Sequence, residues 1–126
     1  MSPPQSTGLQ QARALLGKRG EDLACRYLLD LGFEIAARNA RVGRLELDIV
    51  ARRGRLVVFC EVRSRSNDHV MSPAQSIDPR KVERIRRAGA QWLRTAQLPN
   101  TQVRFDVASI VFDTPDGRIN YLEGAF

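Results

Sequence analysis

Leu45-Glu46-Leu47-Asp48-Ile49-Val50-Ala51, a short polar break, and then Leu56-Val57-Val58-Phe59-Cys60-Glu61-Val62-Arg63 form the stretch that decides the fold. Residues two apart on a strand share a face. Leu45, Leu47, Ile49 and Ala51 alternate with Glu46, Asp48 and Val50, and the second run alternates in the same way. A glycine-containing break between two such runs predicts a β-hairpin. With Arg53-Gly54 as the turn, Glu46 falls opposite Glu61. Asp48 falls opposite Phe59 and diagonal to Glu61. Glu46, Asp48, Glu61 and Arg63 then share one face. Like charges set against each other across a hairpin are destabilising. A chain carries that cost where a metal cation or a reaction uses the charge.

Outward from the hairpin, a 3.6-residue period predicts a helix over 17–31. Its apolar stripe is Ala24, Leu28 and Leu31, with Tyr27 at the margin and Gly32 as the stop. Residues 33–38 read as a first strand. Residues 64–77 hold Asn, Asp, Ser and Pro without a period and read as a loop. A second helix opens with Asp78 as N-cap and Pro79 at the first helical position. Its stripe is Val82, Ile85, Gly89, Trp92, Leu93 and Ala96. Gln102–Phe112 reads as a strand, Asp116-Gly117 as a hairpin turn, and Arg118–Leu122 as a last strand. The order α-β-β-β-α-β-β gives an α/β fold, a mixed sheet flanked by helices, with a C-terminal hairpin strand. Residues 1–16 read as a flexible tail that turns helical near Gln11–Leu16, and 17–126 as a single domain.

The bulk numbers narrow the function classes. A chain of 126 residues with 43% apolar content can bury one core. Its net charge of +6 and pI of about 10.3 favour a polyanionic partner. Cys25 and Cys60 fall on apolar positions with neither zinc nor disulfide spacing, so reduced buried thiols are expected. The first 16 residues lack the apolar core of a signal peptide, and no run is long enough to span a bilayer. The expected setting is cytoplasmic, with no membrane partner.

Two or three carboxylates on adjacent strands beside a cation suit Mg²⁺, or Mn²⁺, which takes oxygen ligands and keeps several waters. Such an ion polarises a phosphoryl oxygen and activates a bound water. Asp48 and Glu61 are the first candidate ligands, with the main-chain carbonyl of Val62 as a third. Glu46 is a further ligand or a group supporting the ligands. Glu21 lies on the inward face of helix one, as a site acid or as an acid complementing the helix dipole. Gly17 and Gly20 in the same turn allow a backbone or substrate to come close. Arg63 and Arg65 adjoin the carboxylates. Arg80, Arg84, Arg87 and Arg94 make one stripe of helix two, a phosphate-binding face or a solvated one. His69 and Gln75 lie in the loop, the first as a general base or surface residue, the second as a substrate contact.

Several motifs together carry a family resemblance: Gly17-Lys18-Arg19-Gly20-Glu21-Asp22-Leu23-Ala24, Arg38-Asn39, Glu46-Leu47-Asp48-Ile49-Val50, Phe59-Cys60-Glu61-Val62-Arg63-Ser64-Arg65, Lys81, and Arg104-Phe105-Asp106-Val107. They resemble the YraN family, bacterial endonuclease-like proteins of largely uncharacterised function. That family is similar to the restriction-endonuclease-like superfamily, which includes archaeal Holliday junction resolvases and shares an α-β-β-β-α-β core. The resemblance implies Asp48 and Glu61 as metal ligands, Glu21 as the helix-one acid, and Arg63 where the superfamily has a lysine. Arginine stays charged and cannot act as a base, but keeps an electrostatic role. Lys81, on the first turn of helix two, can supply an ammonium from another direction. Leu45 stands where the family often has glycine. The resemblance implies a metal-dependent endonuclease acting on DNA, including branched or damaged structures. A non-catalytic nucleic-acid-binding module on the same fold is the alternative, and a basic scaffold for protein or RNA is a third. A homodimer is left open.

Overall fold

The structure, a computed structural model, describes residues 8–66, 77–98 and 100–126; His69 and Gln75 lie outside them. The elements are α1 (Gly8–Asp30), β1 (Glu34–Val42), β2 (Leu45–Arg53), β3 (Leu56–Arg65), α2 (Pro79–Ala96), β4 (Gln102–Val111) and β5 (Arg118–Leu122). The order is the one read from the sequence. The five strands form one sheet in chain order. β3 and β4 are parallel and the other neighbours antiparallel. A parallel pair needs a crossover, and α2 supplies it.

β3 sits at the centre, which explains its continuous apolar run. Val57, Val58, Phe59 and Cys60 are all buried, because a central strand covered on both faces has no wet side. On one face, Ala24, Cys25 and Leu28 of α1 pack on Ile49, Ala51, Val58, Cys60, Ala108 and Ile110. On the other, Ile85 and Ala88 of α2 pack on Leu47, Val50, Val57 and Phe59. Gly89 lets α2 sit close, since a Cβ there would lie 3.1 Å from the Phe59 ring. Asp78 accepts the Arg80 N–H at 2.9 Å, and Pro79 opens the helix. Both thiols are free and buried, and burial pushes each of them up from its ordinary pKa. Among the described residues, no helix is long and apolar enough to cross a membrane.

Several expectations need correction. α1 starts at Gly8, so the helical stretch expected near Gln11–Leu16 begins three residues earlier and is continuous with the helix over 17–30. Leu31 lies past the helix and is 41% exposed, while Gly20 and Cys25 join the buried stripe. β1 runs on to Val42, and a further tight turn at Gly43-Arg44 joins it to β2. β3 extends through Ser64 and Arg65, beyond the strand end at Arg63 that the pattern predicts. β4 and β5 are joined by residues 112–117, so Asp116-Gly117 closes a longer loop, with the Gly117 N–H on the Thr114 carbonyl.

The decisive correction concerns the β2–β3 hairpin. Arg53 pairs with Leu56, so the turn is Gly54-Arg55, not Arg53-Gly54. Gly54 has φ of 59°, and Arg55 is not among the positive-φ residues. A positive φ at the first central position alone is the II′ pattern, which favours glycine there. The register therefore shifts by two residues. Continued past Ile49–Cys60, it places Asp48 directly opposite Glu61.

Candidate metal and nucleic-acid site

The β2–β3 ladder ends at Ile49–Cys60, although both strands run further. Beyond that rung β2 follows β1, and β3 follows β4. The sheet thus forks, and Asp48 and Glu61 stand at the crotch. Asp48 Oδ2 accepts the Val62 N–H at 2.8 Å. A carboxylate has taken a donor that would otherwise serve the ladder. In a strand, the N–H and C=O of one residue point to the same side. The Val62 carbonyl therefore faces the fork beside both carboxylates.

The alternation of faces also breaks here. Ala37 and Ala40 pack into the α2-side core, and so do Val50 and Leu47, three residues apart in each strand. Asn39, opposite Asp48 in the β1–β2 register, has φ of 51°. Both strands change phase together at that rung. Leu45 and Leu47 belong to the same core, so Glu46 between them points the other way and is exposed. The expectation that Glu46 shares a face with Asp48 fails because a period of two was carried through a kink. Among the described residues there is no group of three or more His, Cys, Asp and Glu placed to hold a metal ion. The donor set is a pair of carboxylates and a main-chain carbonyl.

That pair is electrostatically tense. Burial pushes the Asp48 carboxyl up to about 7, with the Glu61 charge adding to the rise. A hydrogen bond between the two carboxyls and the Glu21 charge raise it further, while the Val62 N–H opposes. Glu61 is well covered, its side chain 10% exposed, and Lys81 Nζ reaches its Oε1 at 2.5 Å from α2. Hard oxygen donors needing compensation fit a hard divalent cation. Mg²⁺ is commonly held by one or two carboxylates, with substrate phosphates completing its shell.

The other sequence-selected residues spread around this centre. Glu21, on α1, accepts the Asn39 side-chain amide at 3.0 Å and lies 3.5 Å from Arg38. Arg38 also binds Asp22 at 2.8 Å. Arg63 is half-buried on β3, where desolvation and then Arg65 lower its pKa. Arg65 lies near the first turns of α1, in a groove with Glu21 and Val62. Arg80, Arg84 and Arg87 are exposed along α2. Arg87 is tied to Glu83 at 2.7 Å, and Arg84 Nε donates to the Arg80 carbonyl at 3.4 Å. Arg84 and Arg87 share a second groove with Arg44 of the β1–β2 turn.

Residues 20–110 match the model of the uncharacterised protein family UPF0102. The chain belongs to this family. A UPF0102 protein of Acidothermus cellulolyticus is 41% identical, covering 94% of this chain and 98% of that protein. One of Frankia casuarinae is also 41% identical, over 92% of this chain and 99% of its own length. One of Mycolicibacterium vanbaalenii is 44% identical over 79% and 83%. UPF0102 is the family that the sequence motifs resemble under the name YraN. The family match begins at Gly20 and takes in the fork, Glu21 and Lys81.

The residues given no role in advance are Asn39, Arg38 and Ser64. Arg38-Asn39 was visible as a motif, but its tie to Glu21 depends on α1 crossing β1. Gly20 and Ser64 are coupled by close approach: a Cβ at Gly20 would overlap Ser64 Oγ and lie 3.1 Å from Ser64 Cβ. The expected close approach therefore occurs at Gly20, whereas Gly17 has open space around it. Ser64 Oγ is buried without a hydrogen-bond partner among the described residues. Gly20→Ala is expected to cost about 1–3 kcal/mol by overpacking, despite alanine's better helix propensity. Ser64→Ala is expected to be neutral or stabilising and to reduce the cost of Gly20→Ala when the two are combined. Urea denaturation of the four proteins measures the coupling, and strict additivity would refute the contact.

Proposed function

We propose that this chain is a metal-dependent nuclease that hydrolyses phosphodiester bonds in DNA. The observation that carries the reading is the Asp48–Glu61 pair, set face to face at a fork in the sheet and flanked by Lys81. A fold gains nothing in stability from two partly buried acids in contact. Asp48, Glu61 and the Val62 carbonyl are the groups that would hold Mg²⁺ or Mn²⁺. Bound there, the ion would polarise the phosphoryl oxygen and lower the pKa of a water.

The chain's own residues supply the rest. Glu21, fixed by Asn39, adds an acceptor on the α1 side for ordering water. Arg63 and Lys81 offer positive charge where the transition state gathers negative charge. Neither is suited to be a base, Arg63 because guanidinium does not deprotonate, and Lys81 because its ammonium is paired with Glu61. Arg65, Arg80, Arg84 and Arg87 would contact phosphates and position the nucleic acid. The identity of residue 63 favours a second reading, a nucleic-acid-binding module without catalysis: it is arginine where the superfamily that the motifs resemble has lysine.

Linear, single-stranded, flapped, four-way and damaged DNA, incubated with Mg²⁺, Mn²⁺ or chelator, test the proposal. Cleavage is expected with metal and not with chelator. Arg63→Ala should lower the rate about 10²–10³-fold, as loss of one charge-stabilising group does. Arg63→Lys should retain or raise activity, and Lys81→Ala should reduce the rate less than Arg63→Ala. If every DNA stays intact with either metal, and Arg63→Lys does not awaken activity, the binding-module reading replaces catalysis.

A further inference from the structure

A groove of about 720 Å³ runs between the first turns of α1 and the end of β3. Leu9, Ala12 and Leu16 of the helix and Val62 of the strand give it aliphatic walls, and Arg13 and Arg65 lie along it. Glu21 lines it as well. Val62 and Glu21 therefore belong both to the groove and to the surroundings of the fork. The helical wall is held out from the core: the first buried residue of α1 is Gly20, and Leu9 is 62% exposed. Three of the apolar residues precede Gly20, so they also precede the part of the chain that matches the family.

We infer that this groove seats an unpaired nucleotide of a DNA strand whose phosphate reaches the fork. The volume lies in the range of pockets for small molecules, about 300–1,000 Å³, which suits a nucleotide and not a duplex. Aliphatic walls match the face of an unstacked base, a surface that a duplex keeps hidden within its stack. Arg13 and Arg65 match the phosphates on either side of that base, in a chain of net charge +6. Continuity through Val62 and Glu21 places the nucleotide next to the candidate ligands. The inference depends on the nuclease reading for the position of the cut, and not for the binding of the strand. It narrows the substrate to DNA with a single-stranded segment adjoining the cleaved bond.

Fluorescence anisotropy in EDTA, using the full chain, tests it with labelled oligo-dT, a blunt duplex and the same duplex bearing a single-stranded flap. Wild type is expected to prefer oligo-dT and the flap over the blunt duplex. Ala12 is exposed, so Ala12→Glu should fold, and its circular dichroism spectrum checks this. Ala12→Glu should weaken oligo-dT and flap binding about tenfold at low salt, because a carboxylate would meet the phosphates, and leave blunt-duplex binding unchanged. Ala12→Leu, which keeps the wall apolar and uncharged, should weaken oligo-dT and flap binding less than Ala12→Glu. Equal weakening of all three DNAs, no weakening at all, or no preference in wild type overturns the inference. So does sedimentation showing that Ala12→Glu turns a dimer into a monomer, which would give the groove to a second copy. Cleavage assays run in parallel separate the two readings. Cleavage without strand preference removes the groove assignment alone, and strand preference without cleavage removes the nuclease alone.

Discussion

Asp48→Asn is expected to abolish metal binding and cleavage while making the protein more stable at pH 8. In the folded chain the Asp48 carboxyl is pushed up to about 7, chiefly by burial and then by Glu61. In the unfolded chain it titrates near about 3.9. A group with a raised folded pKa contributes stability that is complete below its unfolded value. That stability is lost as pH climbs through the folded value. Between pH 4 and pH 7, therefore, ionising Asp48 works against the fold. Asparagine keeps an oxygen for the Val62 N–H and gains an amide that can donate to Glu61, with no charge to bury. The expected gain at pH 8 is about 1–3 kcal/mol, shrinking towards zero near pH 4. Chemical denaturation at both pH values measures it, and a variant less stable than wild type at pH 8 would contradict the account. Mg²⁺ should raise the Tm of wild type and leave that of the variant unchanged.

Asp106→Ala is expected to be the most damaging substitution for stability, at a β4 position that pairs with Cys60 beside the fork. Asp106 is fully buried on β4. Its carboxylate receives Arg104 Nε and Nη2, both at 2.9 Å, the Tyr121 hydroxyl at 2.6 Å and the Gly124 N–H at 2.9 Å. Removing it leaves a partly buried guanidinium, a phenol and a main-chain donor unpaired. Breaking a buried charged network in this way costs about 3–5 kcal/mol. For a domain of this size the Tm should fall on the order of 10–20 °C. Asp106→Asn, which keeps an acceptor, should lie between the variant and wild type. A loss below about 1 kcal/mol for Asp106→Ala would show that water replaces these partners at little cost.

Periodicity made the elements legible because each buries a defined face. The stripe of α2 through Ile85 and Gly89, its start at Asp78-Pro79, and the uninterrupted apolar run of β3 are all local signals. The two acids at the fork were legible as charges in apolar strands. Their relation was not. Arg53-Gly54 and Gly54-Arg55 are both plausible glycine turns, and choosing between them moves the register by two residues without changing which side chains share a face. Glu46 was misplaced because the left-handed Asn39 and the phase change beside it leave no trace in a hydrophobic pattern. The N-terminal half of α1 was legible only in part, near Gln11–Leu16, because residues 8–16 bury little and no apolar stripe marks where the helix begins. Lys81, by contrast, was placed by its position on the first turn of α2, and it reaches Glu61.

The fork has a material consequence for the sheet itself. Up to Ile49–Cys60 the seam between β2 and β3 is stitched by peptide groups, which do not change with conditions. One rung further, the stitch is a side-chain carboxylate gripping the Val62 amide. Charge on Asp48 tightens that grip, and its protonation or its capture by a cation slackens it. The length over which these two strands cohere is therefore set partly by the surrounding solution, and this seam runs through the place where the two acids meet.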